Sequence, residues 1–385
     1  MCSEIRKGII DMKKLGFGLM RLPVLDNTPE KIDKDQLCKM VDTFLNQGFT
    51  YFDTSFVYHN GESENAIRKA LVERHDRESF LLASKLPTFI INKEEQVSEI
   101  FNQQLQKCGV EYFDYFLLHS VNSILYDTVI PDCHIIEYLM EQKKEGKIKH
   151  LGFSFHDSAN VLDKILTEHP ELEFVQLAIN FYDWEASFIQ ARECYEVVRK
   201  HGKDVIIMEP VKGGMLAKLP EDTKEKLVEI DEKNKDMSDA SFAIRFASGL
   251  EGVLVTLSGM SNIEQVEDNI SYMKDFEPLT KEEKDALLSS VKAYQANGPV
   301  GVLDYSKYEN ITKNNMPVAG VLETYNSAMI QPNPYFAAEH NYYKGVRYQN
   351  KIDGSWIDGK IIDKDGNDIT EKVKEAEDFL LKNSF

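Results

Sequence analysis

The stretch Y-F-D-Y-F-L-L-H, residues 112–119, decides the fold. It is apolar almost throughout, too short for a core helix, and it stops on a histidine. A strand buried on both faces reads this way, whereas a strand with one wet face alternates. Seven further runs share the pattern: K-L-G-F-G-L-M at 14–20, F-T-Y-F-D at 49–53, S-F-L-L-A-S-K at 79–85, K-H-L-G-F-S at 149–154, F-V-Q-L-A-I-N at 174–180, D-V-I-I-M-E at 204–209 and G-V-L-V-T-L-S at 252–258. Between them lie amphipathic segments. In one, Leu37, Met40, Val41, Phe44 and Leu45 share a helical face and the pattern ends near Gly48, suited to a left-handed cap. Eight alternations of strand and helix predict an α/β fold, a (β/α)8 TIM barrel over residues 1–280. A doubly wound open sheet is the alternative.

The chain has 385 residues and a formal charge of -19, with 42% hydrophobic residues. Such acidity disfavours nucleic acid and anionic membrane surfaces as partners. No apolar run is long enough to span a bilayer, and the first residues, M-C-S-E-I-R-K, show no secretory pattern, so a cytoplasmic protein is expected. Five cysteines without C-x-x-C spacing argue for reduced thiols and against a thiolate metal site. His59 and His156 lack metal-ligand spacing, and no metal is expected.

After residue 280 the character changes to tyrosine-rich segments with turn residues, including Q-P-N-P at 331–334 and Asp-Gly pairs at 358–359 and 365–366. These predict a C-terminal extension, 281–385, with small hairpins and a last helix from Asp368. D-K-D-G-N-D is a turn rather than a calcium loop, because Ile361 falls where the first ligand belongs.

In a barrel of this kind, functional side chains lie at the C-terminal ends of the strands. Asp53 and Tyr58 follow the second run, Lys85 closes the third and His119 the fourth. An unperturbed phenol, which ionises only at about pH 10, is a weak acid at neutral pH. A neighbouring ammonium lowers that value, a carboxylate fixes the ammonium, and an imidazole orients a substrate oxygen. The set suits carbonyl reduction with Tyr58 as proton donor, or alcohol oxidation in reverse. Met20, Arg21, Tyr182 and Trp184, at or after strand ends, are candidates to line the substrate pocket.

The chain resembles the aldo-keto reductases over roughly residues 14–275. The resemblance is carried by L-G-F-G-L-M-R-L-P at 15–23, F-D-T-S-x-x-Y at 52–58, G-x-S-E at 61–64, S-K at 84–85 and D-Y-F-L-L-H at 114–119. G-K-I-K-H-L-G-F-S at 146–154, E-P-V-K-G-G at 209–214 and S-G-M-S-N-I-E-Q-V-E-D-N at 258–269 complete it. It implies Asp53, Tyr58, Lys85 and His119 as the catalytic tetrad, a carbonyl or alcohol substrate, and a nicotinamide cofactor, NADP or NAD, across the barrel mouth. By the same resemblance Ser154 and Gln176 hold the carboxamide. Glu209, Pro210, Gly213 and Gly214 pass the ribose and pyrophosphate, and Gly259, Ser261, Gln265 and Asn269 meet the adenosine half. No Lys or Arg occurs between Arg245 and Lys274, where many members pair the 2′-phosphate of NADP, so NAD or dual use is expected.

M-R-L-P and M-P-V-A-G-V-L-E-T-Y-N at 316–326 look most like the branch with a C-terminal ferredoxin-like domain. No cysteine follows Cys194, so the extension reads as a remnant without an iron–sulfur cluster. Two other functions compete: a nicotinamide-binding sensor without turnover, and an aldolase using Lys85 as a Schiff-base lysine.

Overall fold

The computed structural model describes residues 12–302, 305–308, 312–331 and 337–382. The N-terminal residues through 11, including Cys2, and the part of Q-P-N-P beyond Gln331 lie outside it. Eight parallel strands close into a barrel in chain order: β1 Leu15–Gly18, β2 Tyr51–Asp53, β3 Leu81–Leu86, β4 Phe113–Val121, β5 Ile148–Phe155, β6 Phe174–Ala178, β7 Asp204–Met208 and β8 Val253–Gly259. Closure is made by β1 against β8, with Gly16 opposite Leu257 and Gly18 opposite Gly259, which excludes the open sheet.

The barrel floor is a packed layer of Tyr51, Ala83, Tyr115, Leu117, Phe174, Ile206, Val255 and Leu257. Gly16 and Gly152 are required there. A Cβ on Gly152 would stand 2.3 Å from the Phe174 carbonyl oxygen, and one on Gly16 would stand 2.5 Å from Val255. The opposite strand faces meet a ring of helices: α1 Lys34–Asn46, α2 Glu95–Cys108, α3 Ile135–Lys144, α4 Ala159–Glu168, α5 Ala191–Lys200, α6 Asp239–Ser248 and α7 Ile263–Met273. Helix α1 shows the logic. Asp33 caps its first turn by accepting from Gln36 N, and Leu37, Met40, Val41 and Phe44 form its buried stripe. Gly48, with φ 77°, turns the chain into β2.

Helix α8, Lys281–Gln295, opens on a full capping box of Thr280 and Glu283. Its Leu287 and Tyr294 share a cluster with Phe181, Tyr182, Leu216 and Phe246, so the expected boundary at 280 precedes a helix that packs with the barrel. Beyond it, α9 Val318–Met329, α10 Ala337–Gln349 and α11 Thr370–Lys382 enclose a second core of Val321, Leu322, Tyr343, Trp356, Val373 and Leu380. The last helix starts two residues later than expected, because the Asp368 carboxylate binds Thr370 N and Oγ1. Of the Asp-Gly pairs, the second makes a tight turn closed by one bridge between Ile362 and Asp368.

The extension docks over the ends of β5–β7. Gly320 lies where a Cβ would meet the Phe188 ring at 2.1 Å, and a Cβ on Gly345 would meet the Asp157 carboxylate at 2.8 Å. Glu323 accepts from Ser187 N and Oγ, and Gln349 donates to Asp157. Among the described residues, no helix is long and apolar enough to cross a membrane.

Candidate active site

The register Gly18–Asp53–Ala83 and the pair Lys85–Leu117 level the strand ends, so that Asp53, Lys85 and His119 reach one mouth. Tyr58 arrives from a 3-10 turn, Tyr58–Gly61, that contains two left-handed residues, His59 and Asn60. That turn is pinned by His59: Nε2 accepts from Leu22 N at 3.0 Å and Nδ1 lies 2.8 Å from the Pro29 carbonyl.

Lys85 is 1% exposed and donates to Asp53 Oδ1 at 2.5 Å, to the Thr54 carbonyl at 2.9 Å and to the Tyr58 hydroxyl at 3.2 Å. All three ammonium protons are thereby used. Burial alone would lower its pKa, but Asp53 and Tyr58 override burial and leave the ammonium raised. The His119 ring meets Tyr58 edge-on with centroids 5.9 Å apart, and its Nδ1 lies 3.0 Å from Ser55 Oγ. Burial, reinforced by Lys85 and His156, holds this imidazole well below its ordinary pKa, so it is neutral at pH 7.

The phenol itself corrects the expectation drawn from its neighbours. Lys85 does pull the Tyr58 pKa down, but burial is larger and the net shift is upward. The hydroxyl therefore keeps its proton throughout the neutral range.

The remaining expected residues divide by position. Ser154 and Gln176 face each other across β5 and β6. Ser154 Oγ accepts from Ser120 N at 2.8 Å, and Gln176 Oε1 is buried with no partner. At 209–214 the backbone is left-handed four times, at Glu209, Lys212, Gly213 and Gly214. Nothing stands within 4 Å of a Cβ placed on Gly214. Pro210 is buried beside them. Burial and the Glu339 carboxylate push the Glu209 carboxyl up to about 7.

Met20 is 49% exposed. Arg21, expected at the substrate rim, lies between the last two strand ends: its side chain approaches a Cβ on Gly259 to 3.4 Å and one on Gly213 to 3.7 Å. Ser261 binds the Arg21 carbonyl through Oγ and Gln265 Oε1 through N. Asn269 is buried, spending its amide on Ser258 Oγ and its carbonyl on Tyr272. Tyr182 is buried under Lys212 and beside Tyr294, while half-buried Trp184 packs against Tyr195 and Phe246.

Sequence reasoning missed three groups. Ser55 fixes His119 and was legible in F-D-T-S. Phe89, 44% exposed after β3, meets the His119 ring edge-on at 5.5 Å. Tyr342 of the extension packs against His156 at 5.9 Å, and nothing in the sequence pairs those two.

A phenol, an ammonium–carboxylate pair and a neutral imidazole meet at the mouth of a closed parallel barrel, an arrangement able to move a proton. Residues 14–291 match the model of the aldo/keto reductase family. An uncharacterized oxidoreductase of Bacillus subtilis, YqkF, is 22% identical over 311 residues, covering 74% of this chain and 94% of the relative. L-galactose dehydrogenase of Arabidopsis thaliana is 21% identical, covering 68% and 86%. Among solved structures, the holo form of aldo-keto reductase AKR11C1 from Bacillus halodurans superposes with a TM-score of 0.57 at 24% identity, over 72% of this chain and 91% of that one. An aldo-keto reductase of Klebsiella pneumoniae in complex with NADPH gives 0.58 at 18% identity, over 72% and 90%. The chain belongs to the aldo/keto reductase family. It is a nicotinamide-dependent oxidoreductase.

Proposed function

We propose that the protein interconverts a carbonyl compound and its alcohol, with Tyr58 as the proton donor in reduction and acceptor in oxidation. The observation that carries this reading is the Tyr58 hydroxyl held 3.2 Å from Lys85 and edge-on to His119. A bound nicotinamide supplies or takes the hydride at carbon. The chain's own residues do the rest. Neutral His119 orients the substrate oxygen, and Ser55 fixes which ring nitrogen carries its proton. Lys85, fixed by Asp53, stabilises the phenolate left behind. Because Lys85 stays an ammonium, it is a poor Schiff-base nucleophile, which disfavours the aldolase reading.

The cofactor fits the residues present. The partnerless Gln176 Oε1 suits the carboxamide's N–H groups with Ser154 beside it, and the bare backbone at Gly214 leaves room for the ribose and pyrophosphate. Gly259, Ser261 and Gln265 flank the adenosine half, with Asn269 bracing Ser258 beneath it. The absence of Lys and Arg from 246–273 favours NAD or dual use, Arg21 being a cation against Gly259. The extension is read as a cluster-free relative of a ferredoxin-like domain. Tyr58→Phe tests the assignment: oxidation of NADH or NADPH with simple aldehydes should fall about 10²–10⁴-fold in kcat with cofactor binding retained. Full turnover by that variant rejects Tyr58 as donor.

A further inference from the structure

We propose that Glu339, on the extension helix α10, is a positioning residue for cofactor binding: through Lys212 it holds loop 209–214 in the shape that receives the dinucleotide's diphosphate. The inference rests on the cofactor reading above and assigns the extension a part in it.

The loop has an unfavourable backbone. Glu209 and Lys212, neither of them glycine, sit at φ 57° and 44°, Lys212 directly before left-handed Gly213 and Gly214. Side-chain-bearing residues resist that region, and such conformations persist only where surrounding contacts impose them. Here the imposing contacts converge on one ammonium. Lys212 is 1% exposed, and its Nζ lies 2.9 and 2.7 Å from the two Asp183 oxygens and 3.0 Å from Glu339 Oε1. Asp183 is fixed by Asn180, whose Nδ2 also reaches the Glu209 carbonyl at 3.2 Å. Glu339 is fixed by Gln331 at 2.6 Å and Ser327 at 3.3 Å. One barrel loop and one extension helix thus grip the cofactor loop from two sides by a single side chain.

Charge accounting points the same way. Burial would raise the Glu339 carboxyl, yet Lys212 holds it below its ordinary value, so the pair is ionised. Lys212 is therefore committed to shaping the loop and is not free to meet a phosphate. Glu323, a second carboxylate of the extension, binds Ser187 N and Oγ in the segment after β6 and supplies a comparison.

The test is equilibrium binding of NADH and of NADPH to the full chain, followed by cofactor fluorescence, for wild type, Glu339→Gln and Glu323→Gln. Glu339→Gln should weaken binding about tenfold and raise the cofactor KM alike, with kcat within about twofold. Glu323→Gln should lower the melting temperature with cofactor affinity intact. Lys212→Met should match Glu339→Gln, and the double variant should be no worse than either. If Glu339→Gln fails to fold, Glu339→Asp, which keeps the charge but shortens the reach, should show a smaller loss of the same kind. Wild-type affinity in Glu339→Gln, or equal weakening in Glu323→Gln, overturns the proposal. Failure of the wild type to bind either cofactor rejects the functional reading itself, and the proposal with it.

Discussion

Replacing Lys85 with methionine should destabilise the protein in a way that depends on pH. Methionine fills the volume but strips Asp53, 2% exposed, of its counter-charge, and Asp53 Oδ2 already has no partner. Breaking a buried pair from one side costs about 3–5 kcal/mol when the remaining charge cannot escape. Asp53 can escape by taking up a proton. Burial already holds the Asp53 carboxyl above its ordinary value in spite of Lys85, and without the ammonium it rises further. A carboxyl raised on folding destabilises progressively as pH rises from the unfolded pKa to the folded one. The expected penalty is therefore at most about 2 kcal/mol at pH 5.5 and grows to about 3–5 kcal/mol at pH 8. Urea unfolding of both proteins at the two pH values measures it. Adding Asp53→Asn should recover most of the loss at pH 8 and little at pH 5.5. A pH-independent penalty, or no rescue by Asp53→Asn, would refute the account of Asp53 as an ionised group that depends on Lys85.

Two further outcomes follow from the neighbours of the tetrad. Ser55→Ala removes the group 3.0 Å from His119 Nδ1, and kcat should fall about tenfold with little change in melting temperature, read by steady-state kinetics and thermal unfolding. His156 is held at about 4 by burial, only partly offset by Glu339. Its folded pKa lies below the unfolded 6.5, so it contributes stability above pH 6.5 that is lost as pH falls toward 4. That amounts to roughly 3 kcal/mol, and His156→Gln should shift acid unfolding to lower pH, as followed by circular dichroism.

The barrel was legible because each strand is buried on both faces and so announces itself by composition. The convergence of Asp53, Tyr58, Lys85 and His119 was legible because all four close or follow such runs. What escaped depended on closure and docking. Arg21 sits beside β1, and only the pairing of β1 with β8 sets it against Gly259. Trp184 carries the aromatic character of a pocket residue, but no local pattern encodes its packing against Tyr195 and Phe246. The sign of the Tyr58 shift turned on burial outweighing a visible lysine, a balance of magnitudes rather than of residue types. Glu339 meets Lys212 across 127 residues, and an acidic residue in a tyrosine-rich helix gives no hint of that partner.

The packed floor of the barrel has a bearing on the order of events in a catalytic cycle. Tyr51, Tyr115, Leu117 and Phe174 fill the space beneath the mouth. On the proposed role of Tyr58, the proton it gives is replaced from the open mouth above rather than through the packed floor, so an alcohol that lingers there would delay recharging of the acid.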